Sequence, residues 1–298
     1  MENVLTLVGD TTARNLSDDL LARVEAGLRA AGGAVGPSDW LADSLAADLP
    51  FSGLSSLRAM ELARAALGEA AIDLAAQKQS ERCKRLLMAD MDSTTIQTET
   101  MDDLAAIAGI GEAVAEITLR TMRGELPFED SLRKRVAMLE GQPWRITADV
   151  VRGLKLSPGA RILVRSLRAR GCYTVLCSGG FTFCTEPVAD LCGFHEHHAN
   201  TLLQHDGKMT GKVSEPILGR EAKVERLRIL MQQQAVTAGE VAAVGDGAND
   251  IAMLQAVGLG VAYRGKPAVR EATPYRIDHG DLTALAYFQG LREGELVC

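Results

Sequence analysis

The segment LLMADMDSTT, residues 86–95, decides the fold of this chain. Four apolar residues run without interruption into Asp90, and such a run is typical of a strand buried on both faces of a sheet. Similar runs recur in YTVLCSGG (173–180), VAAVGDG (241–247) and LGVAY (259–263). Because helical stretches separate them, the sequence predicts an α/β fold with a doubly wound parallel sheet, which binds its ligand at the carboxyl ends of the strands.

Two carboxylates end the first run. Asp90 and Asp92 stand two positions apart, so in an extended backbone both side chains lie on one face of the strand and repel each other. With Mg²⁺ present, one oxygen of Asp90 can bind the metal while its other oxygen remains a nucleophile, and Asp92 is free to act as an acid or base. A D-x-D pair standing alone is more often an acidic loop.

A third carboxylate, Asp246, ends the run VAAVGDG, and Asn249 and Asp250 follow at the start of a helix. Glycines on both sides of Asp246 let the backbone pass close to a ligand. A few carboxylates, completed by water and phosphate oxygens, suit Mg²⁺. For this segment alone, a tight strand-to-helix turn with an aspartate cap stays an open alternative. The G-D-G sequence does not match a dinucleotide-binding loop.

Two further segments offer groups suited to a phosphate. In CSGGF (177–181) the Ser178 hydroxyl and the Gly179 N–H follow a strand and can both point at an oxyanion. Ser178 as a hydrolase nucleophile is the competing interpretation, but the G-x-S-x-G elbow of such enzymes is absent around Ser178. Lys223, near the start of a helix, would add positive charge, although a lone lysine is usually solvated.

About eighty residues separate the first two core strands, with charged and apolar positions interleaved as in helices. They predict a helical cap inserted after the first core strand, at about residues 100–165. Phe128, Leu132 and Arg135 share one helical face, so Arg135 lies on an apolar stripe, where it either binds a buried anion or snorkels at the edge. Glu99, just before the cap, is ambiguous on its own.

The first part of the chain, residues 1–80, is predicted to be a separate small α+β domain that precedes the domain 81–298. A strand and a helix are followed by an Ala-rich helix from about Ser55 to Ala76. The polar run QKQSERCKR, residues 77–85, is the predicted linker between the two domains.

Two short motifs predict local structure. The segment 200–213 alternates around Asp206-Gly207, which indicates a β-hairpin with a type I′ turn. HEHH (195–198) resembles a zinc site in composition, but its surroundings indicate a loop before a strand and no defined set of supporting ligands.

The composition excludes several classes of protein. At 298 residues the chain suggests about two domains. A formal charge of −7 with 4% aromatic residues argues against a dedicated nucleic-acid binder. No apolar stretch predicts a membrane span, the N-terminus lacks the basic region of a signal peptide, and the six cysteines form no C-x-x-C pair. These features predict a cytoplasmic protein whose partners are small molecules or other proteins.

Taken together, DMDSTT, CSGG, Lys223 and GDGAND resemble the four motifs of the haloacid dehalogenase superfamily of aspartate-nucleophile phosphotransferases, in their usual chain order. ETMDDLA, FEDSLRKRV, SGGFT and VGDGANDIAML are similar to segments of the phosphoserine phosphatases. The resemblance covers about residues 80–290. It implies a Rossmann-like core with a helical cap, Mg²⁺ dependence, and hydrolysis of O-phospho-L-serine to L-serine and phosphate, the last step of L-serine biosynthesis.

The same resemblance implies a role for each matching residue. Asp90 is similar to the nucleophile that forms an aspartyl-phosphate, and Asp92 to the acid that protonates the leaving hydroxyl and then activates water. The implied Mg²⁺ ligands are Asp90, the main chain of Asp92 and Asp246, with Asp250 in support. The implied substrate-binding residues are Glu99, Arg135, Ser178, Gly179, Lys223 and Asn249. Glu99 would meet the ammonium group of the substrate and Arg135 its carboxylate.

Two other functions stay open. A phosphotransferase on the same core would move the phosphoryl group from phosphoserine to another alcohol such as homoserine. A non-catalytic amino-acid sensor would act through the N-terminal domain, whose strand–helix pattern resembles the small ACT-like domains that precede some bacterial phosphoserine phosphatases. The intact motif residues argue against a sensor, and the N-terminal domain could instead serve packing or the formation of a homodimer.

Overall fold

The computed structural model of the chain describes the backbone of residues 1–123 and 125–298. The N-terminal part contains β1 (Asn3–Gly9), α1 (Asp18–Ala30), β2 (Ala34–Val35), β3 (Asp39–Ala42), β4 (Ala46–Ser52), α2 (Ser56–Leu67) and β5 (Ile72–Lys78). The first core strand and the helices after it are β6 (Leu86–Ala89), α3 (Thr100–Ile107), α4 (Gly111–Met122), α5 (Phe128–Ala137), α6 (Ile146–Gly153) and α7 (Ala160–Ala169).

The rest of the chain alternates strands and helices. Its elements are β7 (Tyr173–Phe181), α8 (Thr182–Cys192), β8 (Glu196–Asn200), β9 (Leu202–His205), β10 (Lys208–Val213), α9 (Arg220–Gln233), β11 (Val241–Gly245), α10 (Ile251–Gln255), β12 (Leu259–Tyr263), α11 (Pro267–Ala272), β13 (Tyr275–Ile277) and α12 (Ala284–Phe288).

One sheet runs through both parts of the chain, in the order β2-β4-β1-β5-β13-β12-β11-β6-β7-β8, and β3 pairs with β4 at its N-terminal end. The six strands from β13 to β8 are parallel to their neighbours, whereas the N-terminal strands are antiparallel. The two parts join where β5 pairs with β13 in an antiparallel manner, with Leu74 opposite Arg276. The predicted α/β fold is confirmed.

Both faces of the parallel strands are buried, which explains their uninterrupted apolar sequences. Successive side chains of a strand point to opposite faces. Leu86 and Met88 accordingly pack with apolar residues of α9, α10 and α11, while Leu87 and Ala89 pack with residues of α7, α8 and α12. The polar residues that follow the strands are left at the edge of the sheet.

The N-terminal part has a hydrophobic core of its own, formed by α1 and α2 against one face of β1, β4 and β5. Ser17 and Ser55 cap the two helices, each accepting an N–H bond from the first turn. The prediction of one helix from Ser55 to Ala76 is wrong in its second half. The helix ends at Leu67, because Gly68 has a φ of +61°, and the apolar residues after it form the buried strand β5.

Three side chains of the polar run between the two parts are buried, although the other six are exposed. Gln77, Arg82 and Lys84 expose only 4%, 8% and 3% of their surface. The Arg82 guanidinium donates to both carboxylate oxygens of Asp48 (2.5 and 2.7 Å) and to the Thr6 hydroxyl (3.0 Å). It also donates to the main-chain carbonyls of Tyr287 and Phe288, in α12. This segment therefore fastens the N-terminal strands to the last helix, and the domain boundary near residue 80 stays a prediction.

The helical cap follows β6. The chain enters and leaves it side by side, where Ile96 and Leu156 form an isolated antiparallel bridge. The helices α3 to α6 lie between these points, but α7 packs against β7, α8 and α12, so the cap ends before the predicted residue 165. The hairpin of β9 and β10 packs against α5, and its turn has positive φ angles at Asp206 and Gly207, which confirms the predicted hairpin.

All six cysteines are free thiols, and Cys172, Cys177, Cys184 and Cys192 are buried. Within the described residues, no helix combines the length and the apolar character needed to cross a membrane.

Candidate active site

The candidate site lies at the carboxyl ends of three adjacent parallel strands. Asp90 follows β6, Ser178 lies near the end of β7, and Asp246 follows β11. From β6 the chain moves to β7 on one side of the sheet and later returns to β11 on the other side. Such a reversal leaves a crevice in which α/β proteins bind ligands. The side chains meet there because each one follows a strand.

Three buried carboxylates form the centre of the site. Ligand oxygens of Asp90, Asp246 and Asp250 all lie within 4.8 Å of one another. Lys223, from the first turn of α9, donates to Asp90 Oδ1 and to Asp250 Oδ1, the latter at 2.8 Å. Burial and the charge of Asp250 raise the pKa of Asp90 well above its usual value, against the opposing effect of Lys223. Burial also raises the pKa of Asp246.

This donor set fits a magnesium ion. All its ligand atoms are carboxylate oxygens, which Mg²⁺ prefers, and the three aspartates that supply them are buried close together. Gly245 leaves room for the Asp250 side chain, since a Cβ atom there would lie 2.5 Å from Cγ of Asp250. Asp250, expected only in support, belongs to the cluster itself. The Asp92 side chain, by contrast, is hydrogen-bonded to Thr100 and Ser178.

Asp92 is held by two hydrogen bonds at the floor of the cavity. Its Oδ1 accepts the Thr100 N–H at 2.8 Å, and its Oδ2 accepts the Ser178 hydroxyl at 3.0 Å. Burial, together with the nearby charge of Glu99, raises the pKa of Asp92 to about 6. A carboxyl group with this pKa can both donate and accept a proton near neutral pH, which suits general acid–base catalysis.

The end of β7 is fixed in part by a residue that no motif pointed to. The Ser178 hydroxyl, besides donating to Asp92, accepts the Gly180 N–H at 2.9 Å. Asn200, buried at the end of β8, donates to the Gly179 carbonyl at 2.9 Å. Only its position at the carboxyl end of β8 could have indicated this role from the sequence.

The cap forms part of the cavity wall. Phe128, Leu132 and Arg135 of α5 line it together with Asn249 and the residues after β6 and β7. A Cβ atom added to Gly179 would lie 3.0 Å from Cζ of Phe128, so the cap touches the floor. Burial lowers the pKa of Arg135, against the opposing charges of Asp102 and Glu99. An arginine in this setting favours a bound anion.

Glu99 lines the same cavity. It immediately precedes α3, and its Oε1 accepts the hydroxyl of Ser93 at 3.0 Å. The ammonium of Lys266 is 3.6 Å from the same oxygen and 3.3 Å from Oδ2 of Asp246. Sequence reasoning missed Lys266, although it closely follows the predicted strand LGVAY, whose carboxyl end lies at this edge of the sheet.

HEHH takes no part in this site. Glu196, His197 and His198 lie within β8, so the expected loop is a strand. His197 contacts the Thr185 hydroxyl at 2.9 Å, and His195 accepts the main-chain N–H of Thr174. Within the part of the chain that the structure describes, the aspartate cluster is the one group of three or more potential metal ligands.

Most residues of the candidate site fall within a segment of the chain that is similar to known proteins. Residues 87–255 match the family model of the haloacid dehalogenase-like hydrolases. Phosphoserine phosphatase SerB2 of Mycobacterium tuberculosis is 43% identical over 72% of this chain and 53% of its own length. Phosphoserine phosphatase of Lactococcus lactis is 40% identical over 71% of this chain and 99% of its own length. The chain spans about half the length of the first two curated relatives it matches.

A solved structure described as a phospho-aspartyl intermediate analogue of phosphoserine phosphatase aligns with a TM-score of 0.65 and 35% identity. It covers 69% of this chain and 99% of its own. The chain belongs to the haloacid dehalogenase-like hydrolases.

Proposed function

We propose that the protein is a Mg²⁺-dependent phosphoserine phosphatase, which hydrolyses O-phospho-L-serine to L-serine and phosphate as the last step of L-serine biosynthesis in the cytoplasm. The observation that carries this proposal is one cavity in which Asp90, Asp92 and Asp246 face Glu99 and Arg135. The first three suit phosphoryl transfer, and the last two match the ammonium and carboxylate of an amino acid. The phosphoserine phosphatases among the relatives support the same substrate.

In the first step, a carboxylate oxygen of Asp90 attacks the phosphorus atom. Lys223 binds Oδ1 of Asp90, so the other oxygen, Oδ2, is the nucleophile. The bond between phosphorus and the serine oxygen breaks as the new bond forms. The protonated carboxyl of Asp92 gives its proton to that oxygen, and L-serine leaves as the neutral alcohol.

In the second step, water attacks the phosphorus atom of the aspartyl-phosphate. Asp92, now ionised, takes a proton from the water, the bond between phosphorus and the Asp90 oxygen breaks, and phosphate is released. The hydrogen bond from the Thr100 N–H holds the Asp92 carboxylate in one orientation in both steps, while the Ser178 hydroxyl is free to turn from Asp92 to the phosphoryl group. The structure of the phospho-aspartyl intermediate analogue in a relative supports this covalent route.

The phosphoryl group would be bound by positive charge and by hydrogen-bond donors. Asp90, the main chain of Asp92 and Asp246 would hold the Mg²⁺ ion, with Asp250 beside them, and the bound ion supplies positive charge to the phosphoryl oxygens. Ser178, the Gly179 N–H and Asn249 would bind those oxygens, and Lys223 keeps Asp90 and Asp250 close together.

Recognition of the serine part is assigned to the cap and its entry. Arg135 can bind the substrate carboxylate with two parallel hydrogen bonds, and its partly buried position strengthens that pair. Glu99 would bind the ammonium. Phe128, packed on Gly179, would exclude water from the closed site.

The test is phosphate release from O-phospho-L-serine with Mg²⁺ and with excess EDTA, beside phosphothreonine and a simple aryl phosphate. We expect metal-dependent turnover with a strong preference for phosphoserine. Turnover of the aryl phosphate alone would leave the phosphatase chemistry and overturn the substrate. Phosphorylated acceptor appearing when an alcohol such as homoserine is added, in place of inorganic phosphate, would overturn hydrolysis in favour of phosphotransfer.

A further inference from the structure

Lys266 connects two acidic groups of the site that belong to different tasks. It stands directly before α11, and its main-chain N–H donates to the Asp246 carbonyl at 3.0 Å. Its ammonium reaches Oδ2 of Asp246 at 3.3 Å and Oε1 of Glu99 at 3.6 Å. A single side chain therefore spans the phosphate end and the amino-acid end of the cavity.

Both contacts to the Glu99 carboxylate fall on the same oxygen. Oε1 accepts the Ser93 hydroxyl at 3.0 Å and faces the Lys266 ammonium. Among the described residues, no hydrogen bond is made to Oε2, and Glu99 itself lines the cavity. Two partners on one oxygen fix the rotation of the carboxyl group, so the free oxygen is presented to a ligand.

Lys266 is itself held in place. Its side chain is half exposed, but the main-chain bond to Asp246 and the start of α11 fix its backbone. Solvent screens its charge on the exposed side, which limits its repulsion of a second ammonium group near Glu99. Its contribution is then to hold the carboxylate in position.

We propose that Lys266 is a positioning residue for amino-acid recognition, which holds Glu99 so that its free oxygen binds the ammonium group of the substrate. This inference rests on the proposed function, because it takes Glu99 as the ammonium-binding residue.

The test compares two substrates that differ in one group. O-phospho-L-serine carries the ammonium, whereas the phosphate monoester of 3-hydroxypropanoate keeps the phosphate and carboxylate but lacks it. For Lys266→Met we expect KM for phosphoserine to rise about fivefold, the effect of one partly exposed ion pair, and any change in kcat to be the same for both substrates, because the contact to Asp246 is lost with either. KM for the ester without ammonium should stay the same, and Lys266→Arg should recover most of the loss.

Arg264→Met is the matched control, since it removes a positive charge from the same loop at a side chain that lies over the Tyr263 ring. It should change neither KM. Equal changes for both substrates in Lys266→Met, or a lower KM for phosphoserine, would overturn the inference. A wild-type protein that does not distinguish the two substrates would instead overturn the proposed function, before any variant is made.

A crystal structure of Lys266→Met tests the positioning without any substrate. We expect the Glu99 carboxyl group to rotate away from its present orientation beside Ser93. If Glu99 does not move, the inference is wrong, whatever the wild-type protein hydrolyses.

Discussion

Replacing Arg82 by methionine should destabilise the protein more than any exposed substitution. In the folded chain the Arg82 guanidinium makes five hydrogen bonds, two of them to the Asp48 carboxylate, and both side chains are more than nine-tenths buried. Arg82→Met leaves Asp48 charged and buried without its cation, and it also leaves the carbonyls of Tyr287 and Phe288 with fewer donors. Breaking such a pair from one side costs about 3–5 kcal/mol.

The double variant separates the pair from its surroundings. With Asp48→Leu added, no uncompensated carboxylate remains, so the double variant should be more stable than the sum of the two single losses predicts, by about 2 kcal/mol. Urea unfolding at neutral pH measures the free energy of unfolding, with Trp40 of β3 and Trp144 of the cap as fluorescent reporters. Arg58→Met is the control, because its pair with Glu61 is exposed and should contribute less than about 1 kcal/mol.

Two results would refute this reasoning. One is a loss below about 1 kcal/mol for Arg82→Met, which would mean that water or other groups replace the lost bonds. The other is strict additivity of the two substitutions, which would mean that Arg82 and Asp48 do not act on each other.

Three further predictions concern the proposed reaction. Asp90→Asn should abolish phosphate release while the circular dichroism spectrum and Tm stay near those of the wild type; normal release would contradict the nucleophile. Arg135→Ala should raise KM for phosphoserine about tenfold or more, as expected for loss of a charge-assisted bidentate pair, and should spare an aryl phosphate, whereas equal losses on both would count against the carboxylate contact. With the Asp92 pKa near 6, kcat/KM for phosphoserine should fall as pH rises above about 6, because only the protonated carboxyl donates to the serine oxygen. An aryl phosphate whose leaving group is stable as an anion should lack this fall, although its phosphate ionises in the same range; identical pH profiles would show that Asp92 is not the acid.

Local sequence was enough wherever an element is defined by its own residues. Each apolar run that ends in a polar group forms a strand, and each of those groups lies at the same edge of the sheet. Asp90, Ser178 and Asp246 could therefore be brought together from the sequence. Asp206-Gly207 likewise defines its turn through two positive φ angles, without help from the rest of the fold.

The predictions that are wrong or missing share one cause. At these positions the structure is decided by contacts with residues that are distant in the sequence. The sequence predicts a helix over IDLAA (72–76), because a short apolar run fits a buried strand and a buried helix equally well. Pairing with β1 makes this segment a strand. The polar run 77–85 resembles a linker until Asp48, 34 positions before Arg82, provides the buried partner. Lys266 has no motif, and only its distances to Glu99 and Asp246 reveal it.

The bridge between Ile96 and Leu156 has a consequence for the speed of turnover. The two segments through which the chain enters and leaves the cap lie side by side. The cap can therefore rotate relative to the core about the line of this bridge. Phe128 contacts Gly179, so the cap touches the core in this structure. In the proposed reaction, the cap has to rotate away from the core before serine and phosphate can leave the cavity. Added sucrose raises the solvent viscosity and should slow this rotation of the cap. Turnover should therefore decrease with solvent viscosity wherever cap opening, rather than bond breaking, limits the rate.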